Sequence, residues 1–382
     1  MTRVIVECFT IFERKLKLMK VLRKKKVQLP ETKVLPNVMP YQTMIADETL
    51  RYVKKGEMNI RDLDDMACTL QNCMSDEVCT MGGLNLMEMW GKRELVRANG
   101  GAVFSPYSFS QLMGRYGIPI LYAKRCLEKE KFALLQMNID EWNSFYHDTR
   151  YLVRSYNMSG MDMPVIRAVL TEKYKTFDTH EILGVMRQNF DLRRNYSVRN
   201  YLMNPEKLHI RMVSDMRLDV KDDDLFLGLN IDSSDVGRSS LRISIIVFKQ
   251  VCTNGLVLPM GITRAFRQIH FGSGAERFSE NIAACLQAVG TMKEVAEEVI
   301  NKCYDKGLPF DVEKEDSVEK FRVSMGMSKD AMQKVLSMLA SNKYGDMSRW
   351  SLINCMTEVA QEYNVESRVN IEESAGRLLL VA

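Results

Sequence analysis

Residues 225–258 read LFLGLNIDSSDVGRSSLRISIIVFKQVCTNGLVL. Leu225, Leu227, Leu229 and Ile231 fall on every second position, the polar turn Asp232-Ser-Ser-Asp-Val-Gly-Arg-Ser-Ser240 follows, and Leu241, Ile243, Ile245 and Val247 resume the alternation. A period of two sends successive side chains to opposite faces, so the stretch predicts two β-strands joined by a polar connection. Gly237 supplies the positive φ or close backbone approach that such a connection uses, and Asn254-Gly255 reads as a further turn.

Working outward, residues 165–170 are a β-branched run, and Leu208, Ile210 and Met212 alternate with His209, Arg211 and Val213. Four such strands predict a mostly antiparallel central sheet. Between the first two, Asp178 is placed to cap a helix through Met186, with a basic exit at Arg187, Arg193, Arg194 and Arg199. Downstream, residues 275–303 carry an apolar helical face (Ile282, Cys285, Leu286, Val289, Met292, Val295), and further helices are expected near 317–325, 329–341 and 349–363. Upstream, residues 41–74 read as helical, with Asp62, Asp64 and Asp65 at the positive end of a helix dipole. Ser105-Pro106 opens another helix with Phe109, Leu112 and Met113 on one face, and a second starts after Gly117-Ile-Pro119. The aromatic side chains from Tyr107 to Tyr146 read as core, because stacking on bases needs exposed rings beside cations. The expected class is α+β, a mostly antiparallel central β-sheet flanked by N-terminal and C-terminal helices. Its parts are a basic extension and proline-containing linker (1–40), a mainly helical part (41–160), a β-rich centre (161–273) and a helical part (274–382), with 41–382 as one unit.

The chain has 382 residues, 46% of them apolar and 27% charged, with a net charge of +4, and it lacks an apolar run long enough to span a membrane. Nine cysteines without a secretory signal or scaffold density predict a reducing, cytoplasmic setting. Cys68, Cys73 and Cys79 lack the spacing of a zinc site, and no metal or cofactor is expected. Residues 1–28 hold nine Lys or Arg against two Glu, so the positive charge is concentrated there. Interleaved with Phe9, Phe12, Leu16 and Leu22, it reads either as a basic amphipathic helix for phosphate or an anionic surface, or as a solvated extension.

The ordered set Arg167-Ala-Val-Leu-Thr-Glu-Lys-Tyr174, Asp178, Asp232-Ser-Ser-Asp-Val-Gly237 and Val251-Cys-Thr-Asn-Gly-Leu256 resembles the phage and plasmid family catalogued as a domain of unknown function, number 932. Ser110-Gln-Leu-Met-Gly-Arg-Tyr-Gly-Ile-Pro119 is similar to that family's upstream helix-turn element, and Trp350, Asn354, Thr357 and Gly376 to its final helices. The resemblance covers residues 105–380; Asp235 stands where the family has Glu, and Thr171-Glu172 where it favours Ser-Asp. It implies a protein of phages, prophages or plasmids, encoded beside recombination genes, and hence a role in DNA metabolism.

No phosphate-loop, zinc-protease or nucleophile-elbow motif is present, so no catalytic residue is assigned. The residues expected to meet nucleic acid are Arg167, Lys173, Arg193, Arg194, Arg238, Ser239, Arg264, Arg267 and His270. Arg238 offers a fork that matches phosphate oxygens, in a turn whose serines equally suit hydrogen bonds to their own backbone. Arg264, Arg267 and His270 have the spacing of one side of a helical turn, which serves either phosphate or the helix dipole. The expected activity is non-catalytic binding or annealing of single-stranded DNA, with recombination proteins as partners and a homo-oligomer as the working form. Two other classes stay open: an Mg²⁺-dependent nuclease using Asp219, Asp222, Asp223, Asp224 and Asp232, and a host-interaction or anti-defence protein acting through protein contacts.

Overall fold

The computed structural model describes residues 51–53, 58–84, 86–89, 94–97, 101–159, 161, 163–190, 196–221, 223–249, 254–257, 267–268 and 274–380. The basic segment 1–28 and its linker, and with them Arg193, Arg194, Arg264 and His270, lie outside the described residues.

The strands form two sheets. The first runs β1 (Arg51–Tyr52), β8 (Tyr196–Met203), β9 (Leu208–Leu218), β10 (Leu225–Ser233), β11 (Leu241–Lys249) and β12 (Asn254–Val257), all antiparallel, with β13 (Arg267–Gln268) also on β11. The second runs β2 (Met74–Thr80), β6 (Arg150–Tyr156), β7 (Val165–Thr171), β5 (Ala102–Phe104), β4 (Glu94–Arg97) and β3 (Leu86–Met89), parallel only between β5 and β7. Before and among them stand α1 (Ile60–Gln71), α2 (Pro106–Arg115), α3 (Ile120–Glu128), α4 (Phe132–Tyr146) and α5 (Thr179–Phe190). After them come α6 (Gly274–Thr291), α7 (Lys293–Asp305), α8 (Glu315–Ser324), α9 (Lys329–Ser341), α10 (Arg349–Ala360) and α11 (Val365–Leu380). The chain is therefore α+β, with mostly antiparallel sheet between N-terminal and C-terminal helices.

Four local expectations change. Within residues 41–74, read as helical, Arg51–Tyr52 form strand β1 and the helix spans Ile60–Gln71. The strand at 165–170 sits in the second sheet rather than beside the other three, because a period-two pattern states that a strand exists and not which strand it pairs with. Asn254-Gly255 lies in β12, where Asn254 pairs with Lys249. The helix expected over 275–303 is two helices that meet at Met292, next to Gly290 and to Thr291, whose hydroxyl donates to the Ala288 carbonyl.

The first sheet has two chemically different faces. Ile210, Met212, Leu225, Leu227, Leu229, Ile231, Ile243, Ile245 and Val247 fill the main apolar core. Each such side chain contributes roughly 1.5–3 kcal/mol on burial. The opposite face carries rows of cross-strand polar partners, Asn200 with Arg211 and Asn230, and His209 with Asp232 and Arg242. Helix α11 covers this face: Arg211 Nη2 donates to Glu372 Oε2 at 2.6 Å and Arg242 Nη1 to Glu373 Oε1 at 2.6 Å. Glu372 is fully buried, and although burial opposes its charge, Arg211 and Arg368 hold its carboxyl below the usual range. Behind the apolar face, α10 is buried at every residue except Glu358, as a helix packed on all sides must be. Its start is defined by Ser348, whose hydroxyl accepts from Ser351 N at 3.1 Å.

Gly228 in β10 marks a register shift against β9, and a Cβ there would stand 2.3 Å from the backbone oxygen of Met212. Backbone cannot yield as a side-chain tip can, so Gly228→Ala should destabilise the protein by roughly 1–3 kcal/mol in urea unfolding. Gly184, inside α5 with open space at its Cβ, should respond oppositely: Gly184→Ala is expected to add about 0.5–1 kcal/mol.

Candidate functional site

The connection between β10 and β11 is held from below by a buried joint between the two sheets. Arg154, in β6 and 0% exposed, donates from Nη1 to Asp178 Oδ1 and to the Asp235 carbonyl, both at 2.7 Å, and from Nε to Asp76 Oδ1 at 3.0 Å. Its Nη2 pairs with the second Asp178 oxygen. Burial opposes the charge on Arg154, but Asp178 and Asp76 outweigh it and raise the guanidinium's pKa. Because Arg154 occupies the Asp178 carboxylate, the start of α5 is capped by others. Glu181 Oε2 accepts from Asp178 N at 2.7 Å, and Asp235, arriving from the turn, accepts from Thr179 Oγ1 at 3.2 Å and Thr179 N at 3.4 Å. Burial and the neighbouring Asp178 push Asp235 up to about 6, against the pull of Arg167 and Arg154.

The turn is rigid for reasons internal to it. Ser234 Oγ donates to the Glu206 carbonyl at 2.9 Å and accepts from Arg238 N at 3.2 Å, and Gly237 takes a φ of +75° against Leu170. Ser234 thus satisfies local backbone, whereas Arg238 and Ser239 beyond it are exposed. The Arg238 guanidinium lies 5.6 Å from the Tyr107 ring centroid, a cation–π placement.

Above the polar face of the first sheet this turn closes one side of a cavity of about 190 Å³. Lys207, His209, Asp232, Ser233, Arg238 and Arg242 line it, with Leu202, Leu208 and Val369 as apolar wall. His209 Nδ1 and Asp232 Oδ1 are 2.7 Å apart, and Arg242 Nε lies 3.9 Å from Asp232 Oδ2. Burial works against ionising Asp232, but His209, Arg242 and Arg211 prevail and hold its carboxyl below the ordinary range. Among the described residues the lining therefore holds Lys207, Arg238 and Arg242 with the carboxylate of Asp232, and Arg242 is also paired with Glu373.

Of the expected binding residues, Arg238 and Ser239 line this cavity. Lys173 is exposed in the turn after β7 and does not line it. Arg167 is corrected: it is 0% exposed and donates to the Pro205 carbonyl and Asp235, so it faces the interior and offers no surface for a polyanion. Arg267 lies in β13, opposite Arg242, rather than on a helical turn. Of the acids of the nuclease reading, Asp222 lies outside the described residues. Asp223 is held by Lys249 and accepts from Trp350 Nε1 and Tyr304 Oη, both at 2.7 Å, while Asp224 pairs with Arg217 at 2.6 Å. Asp223 thus anchors the connection between β9 and β10, while Lys221 and Asp224 beside it are exposed. Among the described residues no three His, Cys, Asp or Glu side chains converge as a metal site.

Sequence reasoning passed over Lys207, His209 and Arg242. Their signal was available only through register: His209 and Arg242 both face Asp232 across β9–β10 and β10–β11. The aromatic region divides as well. Phe109 and Tyr116 are core, but Tyr122, Trp142, Phe145 and Tyr146 are exposed on α3 and α4. Comparison with protein-family models, with curated proteins and with solved structures finds no match to this chain.

The raised Asp235 sets a pH dependence of known sign. A folded-state pKa above the ordinary 3.8 means that folding favours the protonated carboxyl, so its contribution is greatest below about pH 4 and is lost as pH climbs through 6. Asp235→Asn keeps a neutral group there at every pH. Between pH 4 and 7 its stability relative to the wild type should rise by about 2 kcal/mol, measured by urea unfolding at several pH values.

Proposed function

We propose that the protein binds nucleic acid without covalent chemistry, as a single-stranded DNA binding or annealing factor of a phage, prophage or plasmid, acting in the host cytoplasm. The observation that carries this reading is the convergence of Lys207, Arg238 and Arg242 on one cavity where Asp232, the one acid among its described lining residues, is engaged by His209. Arginine forks suit phosphate oxygens, and Arg238 is held ready by its turn and by the Tyr107 ring. The resemblance to the phage and plasmid family supports a DNA-metabolic setting, with recombination proteins as further partners. Self-association into a ring or filament would repeat a weak phosphate site and gain avidity. Among the described residues no helix is long and apolar enough to cross a membrane.

One to three phosphate contacts by these side chains predict that log affinity for oligothymidylate falls with log salt at a slope between about −0.7 and about −2. In Arg238→Ala the slope should weaken by about 0.7, the share of one single-strand phosphate. Fluorescence anisotropy across a salt series measures both, and no binding even at low salt rejects the reading.

A second reading, recognition through protein contacts, is favoured by the helical pair α3–α4. Leu121, Met137 and Phe145 are 79%, 68% and 71% exposed, and Trp142 stacks on Tyr146 with ring centroids 6.1 Å apart. Exposed apolar surface of this kind marks association sites. If the partner is a second copy, light scattering after gel filtration should give an oligomer for the wild type and a monomer for Phe145→Glu.

A further inference from the structure

We infer that four methionines at one end of the second sheet, Met74, Met158, Met161 and Met163, form a thioether site for a soft monovalent cation of the copper(I) class. The site shares no residue with the cavity beside Arg238 and stands apart from the nucleic-acid reading.

Strand register assembles the group. Met74 pairs with Tyr156, Tyr156 with Val165 and Val165 with Val103, so the four stand abreast on β2, β6, β7 and β5 and share one face of the sheet. The connection from β6 to β7 then carries Met158, Met161 and Met163, three thioethers within six residues. All four methionines pack against the same buried trio, Val103, Tyr156 and Val165. Met158 N lies 3.4 Å from Met161 Sδ and donates to it, so that sulfur turns back toward its own loop. Two features separate the group from methionine used as filler. Met81, Met113 and Met186 are 0% exposed, as gap-filling side chains of a core are, whereas these four are only partly buried and keep contact with solvent. The donor set is also uniform. Asp76, the next residue on the Met74 face of β2, is held by Arg154, and among the described residues no three His, Cys, Asp or Glu side chains converge as a metal site. Thioethers alone are neutral and polarizable, a poor match for hard dications and a good one for copper(I) or its redox-inert analogue silver(I). They also carry no proton to release, so loading is independent of pH, unlike binding at thiolate or imidazole.

The test titrates silver(I) into the full chain, labelled at its methionine methyl groups and alkylated at accessible thiols so that cysteine does not compete, and follows each methyl signal by NMR. The first equivalent should move the signals of Met74, Met158, Met161 and Met163 along one binding curve, and that curve should be the same at about pH 5.5 and about pH 7.5. Met161→Leu keeps size and shape, and should weaken binding at least about tenfold. Met163→Leu repeats the test at a second sulfur, and Met66→Leu, exposed on α1, should change nothing. The remaining methyl signals report whether each variant keeps the fold. Copper(I) offered from a coloured chelator without oxygen should pass to the wild type and not to the Met161→Leu, Met163→Leu double variant. Four signals that stay in place through the first equivalents overturn the site. So does binding that tightens as pH rises, which assigns the ion to titrating ligands, or equal uptake of copper(I) by the wild type and the double variant.

Discussion

Arg154 is the contact on which the two sheets depend. A guanidinium buried in a strand must find an acceptor for every donor, and here the acceptors come from three separate segments: Asp76 on β2, Asp178 before α5, and the Asp235 carbonyl in the turn after β10. Taking these charges out of water is expensive, so the pair adds little net stability while its geometry is intact. It does fix how the segments meet. Loss of any one member would strand the others without solvent, so the joint is worth more to the uniqueness of the arrangement than to its depth. Arg167, one strand over, shows the contrast: its Nη1 is used, but Nε and Nη2 have no partner among the described residues.

That joint explains why the polar turn is a shaped surface rather than a flexible loop. Asp235 is pinned from behind by Arg154, Arg167 and Thr179, Ser234 ties the strand end to Glu206, and Gly237 reverses the backbone beside Leu170. Arg238 consequently emerges at a defined place over Tyr107, and little of its freedom is left to lose when an anion arrives. Helix α11 completes the opposite wall through Val369, and its acids Glu372 and Glu373 neutralise the sheet's arginines.

What the sequence makes legible follows from the range of each signal. The alternation in β10 and β11, the Ser105-Pro106 helix start and the positive φ of Gly237 are local, and each appears where its residues predict. Partnerships between distant strands carry no local mark. The separation of β7 from the other predicted strands, the burial of Arg167 and the meeting of His209 with Asp232 depend on register and on contacts many residues apart. Arg167 looked like surface because its charge is visible in the sequence and its interior partner, Asp235, is 68 residues away. Trp142 and Phe145 err the other way: helical aromatic residues usually mean core, yet α4 buries only Leu135 and Ile139.

The hydrogen bond from Arg368 to the Tyr52 hydroxyl joins residues 316 positions apart. Together with β1 on β8 and α11 on the polar face, it gives the fold a large share of contacts that form only after long loops close, the topology that makes folding slow. The β10–β11 hairpin can form early, since its register needs only neighbouring chain. Arg211, bonded to Asn230 across the strands, meets Glu372 only through α11. Docking α11 therefore dries a charged surface as well as burying Ile371, Ala375, Leu378 and Leu379, and it carries the cost of removing water from ions.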